Sequence, residues 1–112
     1  MFEHASRLAL GVYRLTDAFP DRERFVLSAQ MQRAAISVGS NIAEGCGRRG
    51  DRELLQFLYI ASGSARELGF QLHIAALRNY GDASQRAELQ RELDSVQRTL
   101  NRLTARLRAR TP

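Results

Sequence analysis

The chain has one cysteine, two prolines and eight glycines, and none of its seventeen basic residues is lysine. A single cysteine excludes an internal disulfide framework and fits a reducing compartment. The low proline and glycine content, with 44% hydrophobic and 26% charged residues, excludes collagen-like and low-complexity chains and leaves a globular one. No apolar run is long enough to span a bilayer, and Met1-Phe2-Glu3-His4-Ala5-Ser6-Arg7 carries an acid where a signal peptide would be basic and then apolar. A cytoplasmic protein without a membrane partner is the expectation. No stretch shows the period-two alternation of a strand. At 112 residues the chain is one domain, 1–112, long enough to bury its own core.

What is present is arginine. The seventeen arginines face twelve acids, for a formal charge of +5. A GC-rich genome produces such a bias without functional meaning, yet arginine is also the better residue for planar, bidentate phosphate contacts. The distribution is uneven: Gln97 to Pro112 contains Arg98, Arg102, Arg106, Arg108 and Arg110 and no acid.

Four amphipathic helices follow from the spacing of apolar residues. Ala5, Leu8, Val12, Leu15 and Phe19 mark a helix over about residues 3–19, ended by Pro20, whose predecessor is pushed out of the helical region. Asp21 is then the expected N-cap of a second helix running to about Cys46, with Leu27, Met31, Ala34, Val38 and Ile42 inward. Gly45-Cys46-Gly47-Arg48-Arg49-Gly50 breaks the chain, and Asp51 is expected to cap the third helix. That helix carries Leu54, Leu58, Ala61, Ala65, Leu68 and Leu72 and stops at Asn79-Tyr80-Gly81, with Gly81 as the natural terminator. The fourth starts near Ser84 and shows the cleanest heptad, Leu89, Leu93, Val96, Leu100, Leu103 and Leu107. Short loops make sequential helices antiparallel neighbours, so the expected fold is all-α: an antiparallel up-down-up-down four-helix bundle.

The two central helices each carry small residues every four positions, Ala35, Gly39, Ala43 and Gly47 in one and Ala61, Ala65 and Gly69 in the other. Such a stripe lets two backbones come close, and the expectation is that these stripes meet. Asn41-x-x-Glu44 and Ser64-x-x-Glu67 match a capping box, which would split each long helix, but the hydrophobic register passes through both without a slip. With continuous helices, Asn41, Glu44, Ser64 and Glu67 become a mid-helix structural polar network. Buried, its members need partners, with Arg33, Arg48 or Arg66 the natural ones for a carboxylate.

Signals for catalysis are weak. Gly45 to Gly50 spells Gly-x-Gly-x-x-Gly, but the dinucleotide fingerprint requires a preceding strand, and here a helix precedes. Cys46 lacks a base in any recognised motif, and one cysteine with His4 and His73 gives no metal-ligand spacing. No Glu-x-x-His motif supports a di-iron bundle. No enzymatic activity, cofactor, metal or small-molecule substrate is expected.

The arginines are the functional signal. Arg98, Arg102, Arg106 and Arg110 are four apart and form a row without compensating acids, while Arg48, Arg49 and Arg52 cluster at the glycine-rich break. The row is either a solvated face favourable near a helix C-terminus or a strip that binds phosphate backbones without reading sequence.

A resemblance adds to this. Gln30-Met31-Gln32-Arg33-Ala34-Ala35-Ile36-Ser37-Val38, then Asn41-Ile42-Ala43-Glu44-Gly45 and Arg48, then Phe57-Leu58-x-Ile60-Ala61-x-Gly63-Ser64-Ala65-x-Glu67-Leu68, resembles the bacterial four-helix-bundle family named for proteins encoded in large-subunit rRNA intervening sequences. That family is in turn similar to the accessory protein of diversity-generating retroelements. The resemblance implies an antiparallel bundle assembled as a ring of five subunits, without enzymatic activity, that binds structured RNA or DNA through basic surfaces. It assigns Asn41, Glu44, Gly45, Arg48, Ser64 and Glu67 to packing, to the polar network between the central helices and to subunit contacts. The family often has proline near Gly39, where this chain departs from it. The alternative function is a protein-interaction scaffold whose arginines keep the ring soluble.

Overall fold

A computed structural model describes all 112 residues as four α-helices and no strand: α1, Phe2–Thr16; α2, Leu27–Cys46; α3, Asp51–Leu77; and α4, Ala83–Arg110. Each helix packs on two others, α1 and α3 both lying between α2 and α4, and the α2–α3 contact is the most extensive. The molecule is elongated, 47 × 22 × 20 Å. The core is built from the apolar positions that the spacing picks out, with Leu8, Leu15, Met31, Ile42, Leu58, Leu68, Leu93 and Leu100 fully buried. Leu27, Leu54 and Leu103 pack against this core while staying partly exposed.

The helix ends differ from the sequence expectation, each for a local reason. Thr16 ends α1 by turning its hydroxyl back to donate to Val12 O at 2.8 Å, and the chain tightens into three-residue turns through Phe19. Asp21 caps nothing; it opens a single 3-10 turn, Asp21–Glu23. Glu23 serves the start of α2 instead, its carboxylate accepting from Leu27 N–H at 3.4 Å. The second helix is therefore 20 residues long, about 30 Å at about 1.5 Å per residue. Gly50 rather than Asp51 occupies the N-cap of α3, and Asp51 sits in its first turn, where an acid suits the helix dipole.

The left-handed residue that stops α3 is Asn79, at φ 57°, not Gly81. Tyr80 N–H reaches Ala75 O at 2.8 Å and Asn79 N–H reaches Ala76 O at 3.0 Å, the paired bonds of a Schellman motif. Gly81, at φ 74°, carries the turn on, and Asp82 caps α4 by accepting from Gln85 N–H at 3.0 Å.

Tyr80 ties these turns together. Its ring packs on Phe19 at 5.3 Å, its hydroxyl donates to Glu23 at 3.0 Å, and Arg22 and Arg78 donate to the same oxygen. The Tyr80 hydrogen bond, with its electrostatic component, raises the Arg78 pKa further above its ordinary value, so this guanidinium stays charged.

The glycines of the two small-residue stripes do not face each other. A Cβ on Gly39 would touch Ala5 of α1, and one on Gly69 would touch Leu93 of α4. The close approach between α2 and α3 falls at Gly45, where an added Cβ would lie 2.9 Å from the Phe57 Cβ. Ala43 and Gly47 are exposed. Gly39 and Gly69 thus help to seat the outer helices on the central pair.

Two glycines test this account. Gly81→Ala meets both a positive φ and a contact of 2.6 Å to Leu15, and should cost about 2 kcal/mol in urea unfolding. Gly63, inside α3 with nothing within 4 Å of an added Cβ, should give the opposite sign, with Gly63→Ala stabilising the dilute protein by about 1 kcal/mol.

Candidate nucleic-acid interface

The glycine-rich break and the end of α4 are far apart in sequence and adjacent in space. Arg110 Nε donates to Asp51 Oδ2 at 2.8 Å, and Arg52 donates to the backbone oxygen of Pro112 at 3.3 Å. Gly45 sets up this meeting, because its missing side chain lets α2 run onto Leu54 and Phe57 before the chain turns. The Arg48 guanidinium lies 5.0 Å from the centre of the Phe57 ring and donates to Glu44 at 3.3 Å, one helical turn earlier. Arg49 is exposed and forms no ion pair. All these pairs are solvent-exposed and contribute little to stability, so an incoming phosphate can displace them at small cost.

The charge of the whole chain is concentrated here. Residues 47–53 and 97–112 carry eight arginines and two acids, whereas the rest of the chain carries nine arginines and ten acids. Formally this pair of segments is +6 and the remainder −1. The opposite end of the molecule, around Tyr80, has Arg22, Arg24, Arg78 and Arg86 alongside Asp17, Asp21, Glu23 and Asp82. There, Arg86 spends two bonds on the carbonyls of Tyr80 and Gly81. One end of the molecule is basic and the other is balanced.

The α4 row is less regular than the spacing of four implies. Four residues overshoot one helical turn by about 40°, so Arg98 and Arg110 point about 120° apart and about 18 Å apart along the axis. Arg98, Arg102 and Arg106 are all exposed and outside every ion pair. The row winds around α4 and ends at Asp51, bringing Arg106, Arg108 and Arg110 toward the break and leaving Arg98 nearer the middle of the molecule.

The mid-helix polar residues separate into two groups. Both helices run unbroken through the capping-box matches. Ser37 and Ser64 share a 2.8 Å hydrogen bond between α2 and α3, and Asn41 donates to both Ser37 O and Ser37 Oγ. Ser37 is the member that sequence spacing did not single out; it lies one turn before Asn41 and was concealed within an ordinary helical run. Glu44 and Glu67 are outside this network. Both are exposed, Glu44 with Arg48 and Glu67 accepting from Gln71 at 3.4 Å, because their positions lie toward the outer side of each helix.

Cys46 is exposed at the end of α2, His4 pairs with Glu92 of α4 at 3.1 Å and His73 is exposed. No three His, Cys, Asp or Glu side chains converge as metal ligands, and no helix is long and apolar enough to cross a membrane.

These observations define a four-helix, all-α protein with its positive charge gathered at one end. The chain belongs to the 23S rRNA-intervening sequence protein family, whose model matches residues 1–102. Its fold is similar to the crystal structure of a protein of unknown function from the S23 ribosomal protein family of Bacteroides thetaiotaomicron VPI-5482. That likeness has a TM-score of 0.84 at 20% identity and covers 93% of this chain and 94% of the other. Comparison with curated proteins returns no match.

The serine pair yields a stability test. Ser64→Ala should destabilise by about 1 kcal/mol, and Ser37→Ala/Ser64→Ala together by less than the sum of the singles, since the second change removes a group already without its partner. Additive losses in chemical denaturation would show that the two hydroxyls do not interact.

Proposed function

We propose that the protein is a non-enzymatic, cytoplasmic homo-oligomer that binds structured RNA or DNA without sequence specificity through its arginine-rich end. The observation that carries this is the charge division: two segments distant in sequence meet at one end and hold all of the net positive charge. Arg48, Arg49, Arg52, Arg102 and Arg106 form the contact surface, with Arg98 at its margin. Guanidinium groups on a compact end neutralise phosphates and release counterions, which requires no base reading.

The bundle is read as antiparallel, up-down-up-down. Supporting this, Gln32 of α2 donates to Thr16 at the end of α1, while Gly39, further along α2, lies against Ala5 near its start. The assembly is read as a homopentameric ring, as the family resemblance implies. Its support on this chain is the placement of exposed apolar residues. Phe2, Leu10, Tyr13, Phe25, Val26, Ile36, Tyr59, Ile60, Phe70 and Leu77 are all outside α4. Copies that associate through α1–α3 surfaces leave the α4 arginines free, and symmetry then multiplies one basic end into a larger charged surface.

Fluorescence anisotropy with a labelled structured RNA and a DNA duplex across a salt series tests this reading. Affinity should fall steeply with salt. The Arg48→Gln/Arg49→Gln/Arg52→Gln variant should reduce the slope of log K against log salt by about two to three per subunit engaged. Arg98→Gln/Arg102→Gln/Arg106→Gln should weaken binding with oligomer mass unchanged. Absence of binding at low salt would overturn the proposal and leave a protein-interaction scaffold as the function.

A further inference from the structure

The basic end holds part of its charge against itself. Arg110 Nε to Asp51 Oδ2 is the shortest ion pair of the molecule, 2.8 Å against 3.1, 3.3 and 3.7 Å for the others. It is also the pair that joins the two basic segments, since Asp51 begins α3 and Arg110 ends α4. Beside it a second bond runs the other way: Arg52 of α3 donates to the backbone oxygen of Pro112, just past α4. Two guanidinium groups are thus taken up by the protein itself. Arg49, Arg106 and Arg108, on the same segments, are exposed and belong to no ion pair.

The fold has little use for this contact. Asp51 lies in the first turn of α3, where the helix dipole already favours an acid. Its side chain is 45% exposed and that of Arg110 is 60% exposed, so water serves either one without the other. Arg110 makes no further hydrogen bond, and freeing it breaks nothing else. What the pair does change is the charge on offer, because it withholds one guanidinium and sets a carboxylate among the arginines. Asp51 also holds Arg110 as a phosphate would, with an anionic oxygen against a guanidinium N–H.

We propose that the Asp51–Arg110 pair is an autoinhibitory latch, and that Arg110 is a further phosphate contact, released when a polyanion engages the free arginines around it. This deepens the nucleic-acid reading above and rests on it. A phosphate that displaces Asp51 keeps Arg110 paired but leaves the freed carboxylate beside it, an unfavourable neighbour. A single phosphate has nothing to set against that repulsion. A run of phosphates is already held by Arg49, Arg106 and Arg108, whose charge offsets the freed acid. The latch therefore favours a ligand that presents several phosphates at once over a lone anion.

A double-mutant cycle on binding tests the latch. The affinity of the full chain for a labelled RNA hairpin is measured at one low salt concentration for wild type, Asp51→Asn, Arg110→Gln and the combination. Glu53→Gln, alone and with Arg110→Gln, is the charge control. Glu53 is exposed, two residues from Asp51 and in no ion pair, so its neutralisation changes net charge equally and frees no arginine. Asp51→Asn should tighten binding about tenfold and Glu53→Gln about twofold, the difference being the released guanidinium. Arg110→Gln should cost about twofold in wild type and about tenfold in Asp51→Asn, and should leave the Glu53→Gln gain as it was. An Arg110→Gln cost that is the same in both backgrounds overturns the latch and leaves the nucleic-acid reading standing. So does an Asp51→Asn gain no larger than that of Glu53→Gln. Binding by no protein of the set overturns both.

Discussion

The contact of Gly45 with Leu54 and Phe57 is the constraint on which the arrangement of this protein depends. It allows α2 to come close against α3, and any side chain larger than hydrogen would push against the Phe57 Cβ at 2.9 Å. With the corner closed there, Ser37 faces Ser64 at 2.8 Å and the two central helices hold one register. That register places the start of α3 beside the end of α4, so Asp51 meets Arg110 and the Arg48–Arg52 segment lies next to the α4 arginines. A packing requirement of the core thus determines where the surface charge collects.

Two surfaces of different character result. The exposed large apolar side chains all lie outside α4, and α4 supplies the charged winding row instead. The function proposed above would draw on this division, since burying a charged helix in a subunit interface costs desolvation that apolar surfaces avoid. The balanced charge at the Tyr80 end is consistent with a structural role there. Three of its arginines, Arg22, Arg78 and Arg86, are used on the Tyr80 hydroxyl and on turn carbonyls, where they hold two loops together rather than facing solvent alone.

Much of the fold was legible because it rests on helical periodicity. Leu8, Met31, Leu58 and Leu93 are buried as their spacing requires, and a spacing pattern survives any change in how helices are capped. The ends were less legible because they depend on which of several acids captures a free N–H. Asp21 and Asp51 have the right chemistry, but Glu23 reaches Leu27 N–H through the fold, and Asp51 is taken by Arg110 from the other end of the chain. Glu44 and Glu67 were expected inside the polar network; a helical stripe fixes relative direction and not which neighbour occupies it, and both face outward. The arginine clusters could be read as two separate segments, whereas their union at one end is a property of tertiary structure alone.

The single cysteine offers the most direct test of the central claim, that the basic end is the nucleic-acid contact. Cys46 is exposed at the end of α2, two residues before Arg48, and the chain has no other thiol. An iron chelate attached there generates hydroxyl radicals that cut nucleic acid within its short reach. The measurement is cleavage of a bound structured RNA by this conjugate, beside a Cys46→Ser/Asp82→Cys conjugate that carries the chelate at the balanced end. Strong, localised cutting from position 46 and little from position 82, at equal occupancy, is the predicted result. Equal cutting from both ends, or cutting from position 82 alone, would contradict it.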